Sequence, residues 1–236
     1  KGVMLPTMWG EHAAYHDVKY DPFWEACQDL GIVIHFHSGP APHSEYFGAA
    51  FPNEDRSDEL PGAMGAYVSE VMFWLYRPLT FMLWGGVFER FPRLKAMVVE
   101  GGTMFMVPSW LMLLDHNYTD VQFSAKLGDF RSHLSMAPSE YFARNCGIGA
   151  SCVPRRDLDM KDQIGLKQIM WGSDFPHPEG TWPNTAQYYV DTFKGFDADA
   201  GRQILGENAI QFYGLDGDYL DSLAADIGPS ASIFNG

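Results

Sequence analysis

The sequence predicts an α/β fold of the TIM type, the (β/α)8 barrel, within a chain of 236 residues. Three observations support this prediction. Short apolar runs alternate with segments of helical pattern, which indicates parallel strands joined by helices. Polar residues directly follow several of the apolar runs, and in a barrel the residues that follow the strands form the rim that carries the active site. The length also fits a single barrel domain.

Five apolar runs are predicted as strands, because each is short and is bounded by turn-forming or polar residues. They cover residues 2–5, 32–37, 96–100, 145–150 and 168–171. The second run ends at His37 before Ser-Gly-Pro, the third ends at Glu100 before two glycines, and the fifth is followed by Gly-Ser and Asp174. These ends place three polar side chains on the same rim of the sheet.

Helices are predicted between the strands. Asp21 and Pro22 are typical of a helix start and Gly31 of a helix end, so a helix is expected over residues 22–30. Further helices are predicted over residues 107–116, 185–195 and 198–212.

The segment 67–91 is apolar on nearly every side and predicts two helices that are broken at Pro78. A pair of core helices is the simpler interpretation of its most apolar part, residues 71–88, and a subunit interface of a homo-oligomer is the alternative. Residues 39–65 are rich in Gly, Pro and charge and predict a long loop of the kind that is often functional in enzymes.

The domain organisation follows from these elements. One domain is expected over residues 1–216, and residues 217–236, with Gly228, Pro229 and several serines, are expected to form a C-terminal tail. The five strands are fewer than the eight of a complete barrel, and the chain starts abruptly inside a strand. An N-terminal section of the barrel is therefore expected to be missing from this sequence.

Charge and composition exclude several functions. The net charge of −14, without a basic cluster, argues against nucleic acid and anionic membrane as partners. No apolar run reaches the roughly 18 residues that a membrane helix needs. The three cysteines form no CxxC pair, which argues against a disulfide scaffold and favours the cytoplasm. A small molecule is the expected partner.

The segment His35-Phe36-His37 is the first candidate for chemistry. Residues i and i+2 of a strand point to one face, so both imidazoles lie on the same side of the sheet. The alternative to a metal-binding role is that one or both of them are core histidines with satisfied hydrogen bonds. The turn after His37 places that residue on the rim, which favours His37 over His35.

The second candidate is the string Met170 to His177, in which an apolar strand ends in Gly-Ser and an acid, Asp174. A turn or N-cap aspartate is the alternative interpretation of a short Gly-Ser-Asp segment. The full string through Asn184, with its prolines and tryptophans, is more specific.

This string resembles the last strand and loop of the amidohydrolase-related family, which includes aminocarboxymuconate-semialdehyde decarboxylase-like enzymes of the amidohydrolase superfamily. Other segments are similar in the same order along the chain. They are residues 31–39, which resemble the fifth strand with its metal histidine, residues 138–142 before the seventh strand, and the closing helix at 204–209 followed by 212–214. The resemblance covers residues 2 to about 216.

The resemblance implies that strands four to eight of the barrel are present and strands one to three are absent. It implies one divalent metal, zinc or alternatively manganese, held by His37 and Asp174, with two further histidines from the missing first strand. Glu100 stands where the family often has a histidine, and it is a third metal-ligand candidate. Its alternatives are to orient a ligand histidine, to bind substrate or to pair with a cation at the rim. His35, His177 and Trp182 are expected to contact substrate or to support the ligands.

The expected activity is that of a metal-dependent hydrolase, with Asp174 as the catalytic carboxylate beside an activated water. A metal-dependent carboxy-lyase that acts on an aromatic or unsaturated acid is the alternative, and Arg155 and Arg156 are its candidates for binding a substrate carboxylate. A non-catalytic barrel subunit without a metal site is the third interpretation.

Overall fold

A computed structural model describes residues 1–7, 12–37, 61–100 and 105–235. The five predicted strands are present and form one parallel sheet in which each strand pairs with the next one in the chain. This order matches the wall of a barrel and differs from a doubly wound sheet, whose strand order reverses at a switch point. The strands are β1 (Gly2–Leu5), β2 (Val33–His37), β3 (Ala96–Val99), β4 (Cys146–Ser151) and β5 (Ile169–Gly172).

Helices fill the connections in the described ranges, and most of the predicted ones lie within a few residues of their expected bounds. The first three are α1 (Asp21–Leu30), α2 (Ala63–Trp84) and α3 (Val87–Arg90). Between β3 and β5 lie α4 (Met106–Thr119), α5 (Val121–Leu127), α6 (Pro138–Asn145), α7 (Arg155–Leu158) and α8 (Lys161–Ile164). After β5 follow α9 (Thr185–Phe193), α10 (Ala198–Arg202), a π-helical turn (Gln203–Glu207), α11 (Asn208–Tyr213) and α12 (Gly217–Ile227).

The predicted helix break at Pro78 is wrong, because α2 runs through this proline and ends only at Trp84. An interior proline costs a helix about 3 kcal/mol. Large side chains on both sides of Pro78, among them Leu75 and Leu83, are at most 1% exposed. Burial of each such side chain contributes roughly 1.5–3 kcal/mol, so tertiary packing outweighs the local penalty. The same burial places this helix in the core of the chain.

Most of the predicted loop 39–65 lies outside the described residues, and α2 already begins at Ala63. Among the described residues, no helix is long and apolar enough to cross a membrane.

The two faces of the sheet differ in composition. The face toward the helices carries side chains that are completely buried, namely Ile34, Phe36, Ala96, Val98, Ile148, Ala150 and Ile169. The opposite face alternates with it, as strand geometry requires, and includes His35, His37, Gly147, Gly149 and Ser151. Met4 on this second face is 56% exposed in the chain as it stands. The sheet is thus closed by helices on one side and presents its histidines on the other.

Residues 217–236, predicted as a tail, contain α12 and a 3-10 turn at Ala231–Phe234. Ile233 is 9% exposed, and the ring of Phe234 packs edge-on against Phe193 at 6.2 Å. The end of the chain therefore packs back against α9.

Candidate active site

Three residues that follow neighbouring strands have a left-handed backbone. Glu100 follows β3 with φ 57°, Cys152 follows β4 with φ 49°, and Asp174 follows β5 with φ 59°. Non-glycine residues rarely adopt this conformation, which costs on the order of 1–3 kcal/mol and is found preferentially at functional sites. Three such residues side by side indicate that this rim is shaped for a purpose other than stability.

A cavity of about 850 Å³ opens over these strand ends. It brings together four of the residues that the sequence predicts for the site: His37, Glu100, Asp174 and His177. The rest of its described lining comes from the N-terminal half of α2 (Tyr67, Val68, Val71, Met72), from the end of β4 (Ser151, Cys152) and from the loop after Asp174 (Phe175, Pro176, Pro178, Glu179). The α2 residues and Cys152 were not predicted as part of the site.

His37 and Glu100 form a pair at one side of the cavity. The register of the sheet places His37 beside Val99, so the next residue, Glu100, lies at the same level of the rim. The Nε2 atom of His37 is 3.0 Å from Oε2 of Glu100, and the two side chains are 34% and 27% exposed. The pair is therefore reachable from the cavity.

Asp174 is held by a compact loop. The backbone N–H of His177 donates to the carbonyl of Asp174 at 2.8 Å, and the N–H of Thr181 donates to the carbonyl of Ser173 at 2.9 Å. A side chain on Gly180 would approach the carbonyl oxygens of Ser173 and Asp174 to 2.8 Å, so the turn closes only with glycine at this position. The loop fixes the backbone around Asp174, whose side chain is 19% exposed.

His177 contacts Asp174, the carboxylate that the sequence predicts to be catalytic. Its Nδ1 atom lies 3.4 Å from Oδ2 of Asp174 and also 3.4 Å from the backbone nitrogen of Glu179. The side chain of His177 is 54% exposed at the mouth of the cavity. This position fits a residue that orients Asp174.

Cys146 is buried, whereas Cys152 is only partly buried and lines the cavity. Burial, and secondarily the negative charge of Asp174, raises the pKa of the Cys152 thiol, which argues against a thiolate nucleophile. The signal that was missed is simple: Cys152 directly follows β4, as Glu100 follows β3.

His35 and Trp182 do not line the cavity among the described residues. The Nε2 atom of His35 is 2.7 Å from the hydroxyl of Tyr213, below His37 on the same strand. Burial lowers the pKa of His35. Trp182 is 66% exposed and packs edge-on against Phe175, a cavity residue, at 5.8 Å. The structure thus separates His35 from the rim and leaves Trp182 next to it.

The described lining of the cavity carries three carboxylates, Glu100, Asp174 and Glu179, and neither lysine nor arginine. Arg155, a candidate for binding a substrate carboxylate, instead donates to Asp159 and to the carbonyl of Lys194.

Arg156, the second such candidate, pairs with Asp157 and has a side chain that is 81% exposed. In the described part of the chain, neither arginine reaches the site.

The donor types at the rim fit a divalent metal, since imidazole and carboxylate ligands suit zinc and manganese. No three His, Cys, Asp or Glu side chains among the described residues form a cluster that would hold such an ion. The described rim therefore offers suitable donors without a complete coordination sphere.

A sequence model of the amidohydrolase family matches residues 1–215. The chain belongs to this family. The match covers all five strands and the Asp174 loop, and it confirms the family resemblance that the sequence motifs indicate.

Similarities to known proteins are consistent with membership of the amidohydrolase family. A 2-amino-3-carboxymuconate-6-semialdehyde decarboxylase from Dictyostelium discoideum is 25% identical over 205 residues, which are 85% of this chain and 50% of that protein. The crystal structure of an amidohydrolase from Mycobacterium avium subsp. paratuberculosis superimposes with a TM-score of 0.69 at 21% identity, covering 92% of this chain and 52% of that one.

A dihydroxybenzoic acid decarboxylase from a Polaromonas species, solved with bound manganese and an inhibitor, has a TM-score of 0.57 at 20% identity. The superposition covers 85% of this chain and 55% of that one. This chain thus spans about half the length of the proteins it matches.

Proposed function

We propose that this amidohydrolase-family chain forms part of a metal-dependent active site, and that the protein is a carboxy-lyase acting on a small aromatic or unsaturated acid. The observation that carries the proposal is the meeting of His37, Glu100 and Asp174 in one cavity at the strand ends. The decarboxylase activity named for the Dictyostelium relative supports the choice of reaction.

The imidazole of His37 and the carboxylate of Asp174 would hold the metal, because they are of the right donor type and line the same cavity. A bound divalent cation would polarise a substrate oxygen and stabilise negative charge that develops on the substrate. The manganese bound in the Polaromonas relative supports manganese as the alternative to zinc.

Asp174 would serve as the acid. In a carboxy-lyase reaction, the bond between the substrate carbon and its carboxylate breaks, CO2 leaves, and the carbon takes the proton from the Asp174 carboxyl. Solvent then returns a proton to Asp174. The contact of His177 with Oδ2 would keep the carboxyl group turned toward the cavity.

The shape of the cavity supports a small organic substrate. Its volume of about 850 Å³ lies within the range of ligand pockets, which is roughly 300–1,000 Å³. Val68, Val71 and Met72 of α2 form an apolar part of its lining, and the residues that follow the strands carry carboxylates. An apolar body would contact the helix while the reacting group faces Asp174.

Hydrolysis is the second candidate, and the charge of the cavity favours it. The described lining has no lysine or arginine to bind a substrate carboxylate. In a hydrolase, Asp174 would take a proton from the attacking water and deliver it to the leaving group. Because the same residues would serve both reactions, only the identity of the product distinguishes hydrolysis from decarboxylation.

The decisive experiment uses the purified full-length protein, its metal content, and a panel of aromatic and unsaturated acids, esters and amides. Reaction in D2O and in H2(18)O separates the two candidates. A carboxy-lyase releases CO2 and leaves one deuterium on the carbon, whereas a hydrolase leaves 18O in its product without CO2. A metal-free protein with neither product on the whole panel would favour the non-catalytic subunit and contradict the proposal.

A further inference from the structure

We propose that Glu100 is itself a ligand of the metal, so that this site discriminates less between Zn2+ and Mn2+ than it would with a histidine at the same position. The inference rests on the metal site proposed above and adds one ligand and a metal preference to it.

The position of Glu100 supports the inference. It directly follows β3 and adjoins Val99, which pairs with His37, so the two side chains start from neighbouring strands at one level. Its left-handed backbone, with φ 57°, carries a conformational cost that a residue without a specific role would avoid. Glu100 also lines the cavity together with Asp174.

The spacing of the donor atoms is the second argument. Two ligands that each lie about 2.0–2.2 Å from a metal, at an angle of about 90–110°, are separated from each other by roughly 3.0–3.5 Å. The distance from Nε2 of His37 to Oε2 of Glu100 is 3.0 Å. One cation can therefore contact both atoms without a shift of either strand. A metal would take the place of the proton that otherwise lies between the imidazole and the carboxylate.

The donor chemistry sets the preference. Imidazole suits zinc, whereas carboxylate oxygen suits manganese and magnesium, although zinc generally binds more tightly than manganese at any mixed site. Glu100 in place of an imidazole adds an oxygen donor to that of Asp174. The expected consequence is a smaller ratio of Zn2+ to Mn2+ affinity, with zinc still the tighter of the two.

A purely orienting role is the competing explanation, in which Glu100 accepts a hydrogen bond from His37 and never touches the metal. Glutamine at position 100 would keep such an acceptor, and the loss of an outer-shell partner lowers metal affinity by about 10–100-fold. An orienting residue would alter the affinities for both metals by the same factor, so the ratio of the two affinities separates the explanations.

The test is competition titration of Mn2+ and Zn2+ on the full-length protein, its Glu100→Gln and Glu100→His variants, and Glu179→Gln as a control that removes an equal charge from the same cavity. We expect Glu100→Gln to lose more than about 100-fold in Mn2+ affinity, beyond the effect of an outer-shell partner. We expect Glu100→His to recover Zn2+ binding with a Zn2+ to Mn2+ ratio at least about tenfold higher than wild type, and Glu179→Gln to keep the wild-type ratio.

The visible absorption of the Co2+-loaded proteins provides a second readout, because it reports the number and type of ligands. An unchanged ratio and an unchanged Co2+ spectrum in Glu100→His would overturn the inference and leave the metal-dependent function standing. A wild-type protein that binds none of these ions would overturn both.

Discussion

The two ends of the parallel sheet differ in the surroundings of their polar side chains. At the C-terminal rim, Glu100, Cys152 and Asp174 adopt costly left-handed backbones around an open cavity whose described lining carries three carboxylates. At the N-terminal base, polar groups are paired with backbone carbonyls. The contrast indicates that the rim is arranged for chemistry and the base for stability, as in barrel enzymes generally.

Two buried asparagines show how the base is built. The Nδ2 atom of Asn145 donates to the carbonyls of Pro92 and Leu94, next to the start of β3. The Nδ2 atom of Asn208 donates to the carbonyls of Leu166 and Ile169, at the start of β5. Both side chains therefore tie together backbone carbonyls at or just before the strand starts.

The largest expected effect is at the rim. Replacement of Asp174 by Asn should lower kcat by at least about 100-fold, because general acid–base catalysis contributes roughly 10²–10⁴-fold. The free energy of unfolding should change little, since asparagine tolerates the left-handed backbone. Steady-state kinetics and denaturant unfolding of the full-length protein test both parts, with Glu179→Gln as the matched loss of a cavity carboxylate. Wild-type turnover in Asp174→Asn would refute its proposed role.

A base variant should show the opposite pattern. Replacement of Asn208 by Ala removes two hydrogen bonds, of which the one to the Ile169 carbonyl is buried, and this loss should lower the free energy of unfolding by about 1–3 kcal/mol. kcat should stay near the wild-type value where the variant is folded. The exposed pair of Gln187 with Asp191 provides a control, and Gln187→Ala should change stability by less than about 0.5 kcal/mol. An equal loss of stability in Asn208→Ala and Gln187→Ala would contradict the stabilising role assigned to the base of the sheet.

The strain at the rim predicts a stabilising substitution. Glycine adopts a positive φ without steric cost, so Cys152→Gly should release strain at φ 49° and raise the free energy of unfolding by about 1 kcal/mol. Urea denaturation measures the change. Cys146→Gly is the comparison at the base, where loss of a buried side chain should destabilise the protein. A destabilised Cys152→Gly variant would show that the left-handed conformation carries little strain.

The smallest effect concerns the helical layer. A hydrogen bond from Tyr141, followed by one from Ser135, lowers the pKa of Glu89. The folded state therefore holds the charged form more strongly, and this stabilisation is complete above the ordinary carboxyl pKa of about 4.3 and is lost as the pH falls through the lower folded value. Stability curves between pH 7 and pH 3 should fall less steeply for Glu89→Gln than for wild type. Parallel curves would show that Glu89 titrates alike in both states.

The amino-acid sequence by itself determined the alternation of strands and helices, the family, and the residues at three strand ends. Apolar runs ended by Gly or Pro are local signals, so the five strands were placed within one or two residues. His37, Glu100 and Asp174 could be selected because each stands next to a strand end, and parallel strands bring such ends together. That the strands are the fourth to eighth of a barrel stays a prediction.

Only the tertiary structure decided the path of α2 and the make-up of the cavity. Pro78 breaks a helix by local rules, and only the burial of the surrounding side chains in the core outweighs that penalty. The cavity wall from α2, the exposure of Cys152 and the pairing of His35 with Tyr213 depend on contacts between residues far apart in the chain. Such contacts leave no periodic signal, because they arise from how the elements pack and not from the pattern within any one of them.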